Sequence, residues 1–258
     1  MQATPYADIN ELIELLLLQM QEILGKNLEG LYLYGSLVWG DFDYDISDID
    51  LLVVTATDIN KKEFRQLKKM QAAFATKYKA WAGRLEIAYV SLQALKTFKT
   101  QGSQIAVISP GEPFHIKEAG KDWLINWYTL QEKGVTLFGP APKTFIEPIS
   151  KAEFIQVVKE QAGEWREWIT QTKVMRRRNY QAYAILTMCR AFYAYKFGEQ
   201  VSKKQAALWA QKELPKWSGL IKNALEWRED WRNKKVDHEA TISEARCFVN
   251  FVVDQIIK

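Results

Sequence analysis

The chain has 258 residues, of which 48% are hydrophobic and 26% charged, with a formal net charge of +4. That balance excludes a disordered or fibrous chain and supplies too little positive charge to point to nucleic acid by itself, while suiting a small anionic substrate. The length fits one large domain or two smaller ones.

The first predicted element is a helix over residues 7–25, with apolar side chains at helical spacing and Gly25 as its C-cap. Its apolar run, Leu15 to Leu18, is short and flanked by Glu11, Glu14 and Glu22, and no basic segment precedes it. That pattern reads as an amphipathic helix of a cytoplasmic protein, neither a signal peptide nor a membrane span. Strand character follows at 30–34, 49–55 and 85–91. Between the last two, KKEFRQLKKMQAAFATKY places Phe64, Leu67, Met70, Ala73 and Phe74 on one helical face. Helix, strand, strand, helix, strand implies a small mixed sheet with helices packed on it.

Residues 98–120 contain Gly102, Pro110, Gly111, Pro113 and Gly120, which predicts irregular chain. Residues 121–134 are expected to be helical. GVTLFGPAPKTFIEPIS, with Pro140, Pro142 and Pro148, marks a domain boundary, giving domains 1–148 and 149–258. Beyond it, 151–172, 179–197, 202–213, 217–230 and 238–257 all show helical spacing, so the second domain is expected to be a helix bundle. The fold class is therefore α+β. Most of the ten Trp lie after residue 120 and imply a core of bulky rings there. Trp39, Trp81, Trp123 and Trp127 are read as core more than as stacking platforms. Cys189 and Cys247 are expected to be buried reduced thiols, His115 and His238 carry no metal spacing, and Arg176-Arg177-Arg178 reads as a solvated helix start.

One stretch stands apart, LYLYGSLVWGDFDYDISDIDLLVV. Asp48 and Asp50 alternate at a strand start, so both carboxylates point to one face while Ile49, Leu51 and Val53 point into a core. Like charges side by side repel, and a hard divalent cation such as Mg2+ offsets that. Asp41, Asp43 and Asp45 read as loop residues. Gly35-Ser36 ends the preceding strand, where a sharp turn exposes N–H groups and a hydroxyl to a phosphate oxygen. Glu86 alternates with Leu85 and Ile87, which puts its carboxylate on the face away from the core.

Strand, Gly-Ser, loop and Asp-x-Asp at a strand start resemble the DNA polymerase beta-like nucleotidyltransferase superfamily. The resemblance implies that Gly35 and Ser36 bind triphosphate, that Asp48, Asp50 and Glu86 form the catalytic acids and hold Mg2+ (two ions), and that Glu86 takes the proton of the attacking hydroxyl. GVTLFGPAP, LTMCRAFYAYKFGEQVSKKQAALWAQKELP and the overall length are further similar to the aminoglycoside 3''/9-adenylyltransferases. That likeness implies AMP transfer from ATP to an antibiotic hydroxyl, binding in the cleft between the domains, and nucleotide contacts from Arg190 and Lys203, with Lys204 beside the latter. Streptomycin-modifying relatives carry a Trp and two acids where this chain has Gln171, Arg176 and Tyr180. Arginines there repel a polycation, which favours spectinomycin over streptomycin. Competing readings are the same chemistry on a protein side chain, a metabolite or RNA, and an inactive nucleotide-binding module. The expected partner is a small-molecule substrate, with neither nucleic acid nor membrane expected, and the protein is expected to be a monomer.

Overall fold

A computed structural model describes residues 2–171, 175–228, 237 and 239–258. His238 and the ends of three expected helices, at residues 172, 229, 230 and 238, lie outside the described residues. The chain divides into two compact units, Met1–Ile149 and Ser150–Lys258.

The first unit opens with α1, Ala7–Leu24, whose Ile9, Ile13, Leu16 and Met20 are buried on one stripe. Gly25 closes it at φ +52°. Strand β1, Leu28–Tyr34, runs antiparallel to β2, Ile49–Thr55, and β2 runs parallel to β3, Leu85–Ser91. A parallel neighbour requires a crossover, and α3, Lys61–Lys77, provides it. The Asn60 side chain accepts from the N–H groups of Lys62 and Glu63, while Glu63 reaches back to the Asn60 N–H. This capping box satisfies donors that the helix itself cannot pair.

Leu31, Leu33, Ile49, Leu51, Val53, Leu85 and Ile87 form one core with Leu67, Met70 and Phe74 of α3 and the α1 stripe. The alternate residues Tyr32, Leu52, Val54, Ala88 and Val90 are buried as well, so the sheet is covered on both faces. Helix α5, Leu124–Lys133, packs against β1. Two short helices, α2 (Ser36–Trp39) and α4 (Leu92–Thr97), follow β1 and β3 directly.

The sheet is larger than its sequence suggests. Residues 98–120, expected to be irregular, contain β4 (Ser103–Ile108) and β5 (His115–Ala119), and the proposed boundary segment begins with β6 (Val135–Phe138). The six strands run in the order β5-β4-β3-β2-β1-β6. Gly102, Pro110-Gly111 and Gly120 stand at the ends of these strands instead of interrupting them. Their density masks short elements whose partners are supplied from elsewhere in the chain.

The second unit is helical: α6 (Lys151–Trp168), α7 (Arg178–Phe197), α8 (Lys203–Glu213), α9 (Ser218–Trp227) and α10 (Ile242–Ile257). Helix α7 touches the other four. A helix surrounded in this way is apolar on several sides, and Ala182, Ala184, Ile185, Leu186, Met188, Cys189 and Ala194 are all buried. Gly198 ends α7 in the left-handed conformation at φ +63°. Cys189 is buried, and burial pushes its thiol well above the ordinary value. Cys247, expected to be buried, is exposed. On α10 the inward positions are 245, 248, 249, 252, 253 and 256, and residue 247 falls on the opposite side of a 3.6-residue repeat.

Candidate active site

The acids are gathered by strand register. Tyr34 of β1 pairs with Asp50 of β2, and Asp50 pairs with Glu86 of β3. Residues directly opposite in neighbouring strands share a face, about 4.8 Å apart in the pairing direction. Tyr34, Asp50 and Glu86 therefore form one rung, away from the Leu33, Leu51 and Ile87 core beneath. Asp48 precedes β2 by one residue, and both it and Asp50 are half-buried, as is Glu86.

Tyr34 reports the field of the rung. Burial first, then the charges of Glu86 and Asp50, hold its hydroxyl pKa well above 10.0. The phenol thus stays neutral at the β1 end of the rung, next to Asp50, and offsets neither carboxylate's charge. A hard dication fits such a donor set, because Mg2+ takes one or two carboxylates and completes its shell with substrate phosphate. Among the described residues no group of three or more His, Cys, Asp or Glu side chains already forms a metal cage.

Gly35 follows Tyr34 at φ +70°, ψ −150°. A Cβ there would stand 1.8 Å from Oδ2 of Asp50 and 2.5 Å from its Cγ. Both the positive φ and the close approach demand glycine, so the turn lies directly against the Asp50 carboxylate. Ser36 opens α2, and Gly40, at φ +69°, closes it. Asp41, Asp43 and Asp45 lie in the loop that returns to β2. The Asp43 carbonyl accepts from Ser47 N–H at 2.7 Å and from Ile46 N–H at 3.2 Å, and its Oδ1 accepts from Asp45 N–H at 3.2 Å. These are turn functions.

The two basic candidates belong to the second unit. Arg190 is half-buried on α7. Lys203 is the first residue of α8, where the Ser202 side chain accepts from the N–H of Gln205. The Lys203 ammonium lies 4.3 Å from the centre of the Tyr183 ring. Tyr183 and Arg190 are seven residues apart on α7 and therefore share a face. Tyr183 also contacts Trp165 and Trp168 of α6, a cluster that no local sequence pattern indicated. In the basic run, Arg176 pairs with Glu239 at 3.4 Å, and Arg178 lies over Trp227 at 4.9 Å and donates to the Asp237 carbonyl at 3.1 Å. Gln171 and Tyr180 are exposed. Trp81, Trp123 and Trp127 are buried in the first unit, and Trp39 is half-buried beneath Lys133. The His115 Nδ1 stands 2.8 Å from the Pro113 carbonyl, away from the rung.

Arg84 and Tyr34 were not among the sequence candidates. Arg84 alternates with Glu86 in G-R-L-E-I, and Tyr34 immediately precedes the Gly-Ser turn. Strand alternation was the available signal for both.

Residues 13–90 match the nucleotidyltransferase domain family. The first unit is thus a nucleotidyltransferase domain. Residues 144–255 match the aminoglycoside adenylyltransferase C-terminal domain. The chain thus carries a nucleotidyltransferase domain followed by the C-terminal domain found in aminoglycoside adenylyltransferases. Its fold is similar to that of a spectinomycin adenyltransferase, AAD(9), from Enterococcus faecialis, whose crystal structure contains ATP and spectinomycin. The TM-score is 0.75 at 15% sequence identity, covering 96% of this chain and 99% of the other. No curated protein matches the chain. Among the described residues no helix is long and apolar enough to cross a membrane.

Proposed function

We propose that the protein transfers AMP from ATP to a hydroxyl of an aminocyclitol or aminoglycoside, in the presence of Mg2+ and with release of pyrophosphate. The observation that carries this reading is the rung of Asp50 and Glu86 with the Gly35 turn pressed against it. The N–H groups and hydroxyl of Gly35-Ser36 receive triphosphate oxygens. Asp48 and Asp50 hold the metal, with Glu86 beside them. Bound Mg2+ supplies charge compensation to the phosphates and to the leaving oxygen.

Glu86 acts as general base. Its carboxylate takes the proton of the attacking hydroxyl as that oxygen bonds to the alpha phosphorus. The bond from the alpha phosphorus to the bridging oxygen breaks in line, and pyrophosphate leaves with the electron pair. Arg190 and Lys203 contribute positive charge to triphosphate binding, Lys203 from a helix N-terminus that itself favours anions.

Spectinomycin is the favoured acceptor. A polycation leaving water needs carboxylate partners, and Gln171, Arg176 and Tyr180 supply none. Arg176 itself pairs with the Glu239 carboxylate. The similar fold of a spectinomycin enzyme supports the same choice.

Pyrophosphate release from ATP and Mg2+, with spectinomycin and streptomycin offered separately and Asp50→Asn as blank, tests the reading. Release with spectinomycin alone is expected. Release with streptomycin would overturn the meaning given to Arg176 and Tyr180. Release with neither would move the acceptor outside both antibiotics.

A further inference from the structure

One side chain bonds two backbone carbonyls of the loop that delivers Asp48. Arg84 stands two residues before Glu86, just ahead of β3. Its Nε donates to the Ser47 carbonyl at 3.1 Å, and its Nη2 donates to the same carbonyl at 2.5 Å and to the Tyr44 carbonyl at 2.6 Å. The backbone carbonyl of Arg84 in turn accepts from the Ile49 N–H at 3.0 Å.

These bonds bracket Asp48. The Ser47 carbonyl belongs to the peptide unit before its Cα, and the Ile49 N–H to the unit after it. Peptide units are rigid planes joined by two soft dihedrals per residue, so pinning both planes fixes φ and ψ of Asp48. Arg84 pins both, one through its side chain and one through its backbone.

The clamp is itself braced. The Arg84 guanidinium lies 4.5 Å from the centre of the Trp81 ring. Trp81 is buried and contacts Phe42 and Tyr44 of the same loop. Ser47 is buried, and its hydroxyl accepts from the Asp43 N–H at 3.0 Å. The Tyr44 hydroxyl donates to the Asp8 carboxylate at the start of α1. Only a planar group with several donors serves two carbonyls while stacked on a ring.

We propose that Arg84 is a positioning residue that sets the Asp48 carboxylate for metal binding, acting through the Ser47–Asp48 peptide unit. The proposal rests on the reading of Asp48 as a metal ligand. Partners that orient a ligand, without touching the metal, contribute about 10–100-fold to metal affinity or activity.

The test is Mn2+ alone, titrated into the full chain and followed by water-proton relaxation, which needs no turnover. Arg84→Met keeps the aliphatic stem over Trp81 and removes every donor. It should weaken Mn2+ about tenfold. Arg84→Lys, which keeps the charge but not the fork, should weaken it about threefold. Adding Asp48→Asn to either variant should cost no more than Asp48→Asn alone, since a residue acting through Asp48 has nothing further to lose. If Arg84→Met fails to fold, Arg84→Lys carries the same cycle. Mn2+ affinity within about twofold of the parent in the folded Arg84 variants, or full additivity with Asp48→Asn, would overturn the proposal and leave Arg84 a loop brace. Parent-like Mn2+ affinity in Asp48→Asn itself would instead remove the metal reading, and the proposal with it.

Discussion

The sheet unit and the helical unit hold their functional side chains by different means. In the sheet, Asp50 and Glu86 are neighbours because β2 and β3 pair in parallel register, and Gly35 closes on Asp50 because β1 ends where it does. Short side chains on a hydrogen-bonded ladder have little freedom. In the helical unit, Arg190 and Lys203 are long side chains on α7 and at the start of α8. Lys203 lies over the ring of Tyr183, which is itself exposed. Chemistry that needs a fixed geometry is placed on backbone register. The two basic candidates are placed on longer, more adaptable side chains.

This contrast predicts graded effects. Asp50→Asn should be the most severe, since charge stabilisation through a metal is worth several kcal/mol, or about 10³-fold in kcat. The ladder does not depend on the carboxylate, so the thermal midpoint should stay within about 4 °C of the parent. A variant that kept full activity would break the assignment of metal binding to the rung. Glu86→Gln should lower kcat by about 10²-fold or more, as general bases contribute on that scale. Its ATP and acceptor affinities, read by calorimetry, should be unchanged. A loss of ATP affinity there would make Glu86 a ligand first and a base second.

In the helical unit the effects should fall on binding. Lys203→Ala should weaken ATP about tenfold, the loss of one charge-assisted contact, with acceptor affinity unchanged. Unaltered ATP affinity would take Lys203 out of the site. Tyr183→Ala removes the ring beneath the ammonium, worth about 0.5–1 kcal/mol at an exposed position, together with its contacts to Trp165 and Trp168. ATP should weaken by about two- to fivefold. An effect as large as that of Lys203→Ala would mean that Tyr183 meets the nucleotide itself.

Strand β2, which carries Asp50, was legible because its signals are local. Period-two alternation orients Asp50 whatever the strand pairs with, and Gly35-Ser36 marks a turn by composition, whereas Asp48 stands just ahead of β2. The helices from α6 onward were legible for the same reason, through apolar spacing. Strands β4, β5 and β6 were not, because a short segment between Gly and Pro residues becomes a strand only when a partner edge is offered. Cys247 was misplaced because an apolar stretch of α10 does not announce which side is turned to the core.

The sequence by itself thus determined which residues carry charge and which way each points along its own element. Tertiary structure decided which of them meet. Asp50 and Glu86 stand side by side only through the β2–β3 register, with α3 between them in the chain. Arg84 reaches Ser47 across that same pairing, and Lys203 finds Tyr183 only where α8 packs on α7. Local periodicity is written into consecutive residues, whereas register and contact are chosen by burying both faces of the sheet and the helix stripes at once.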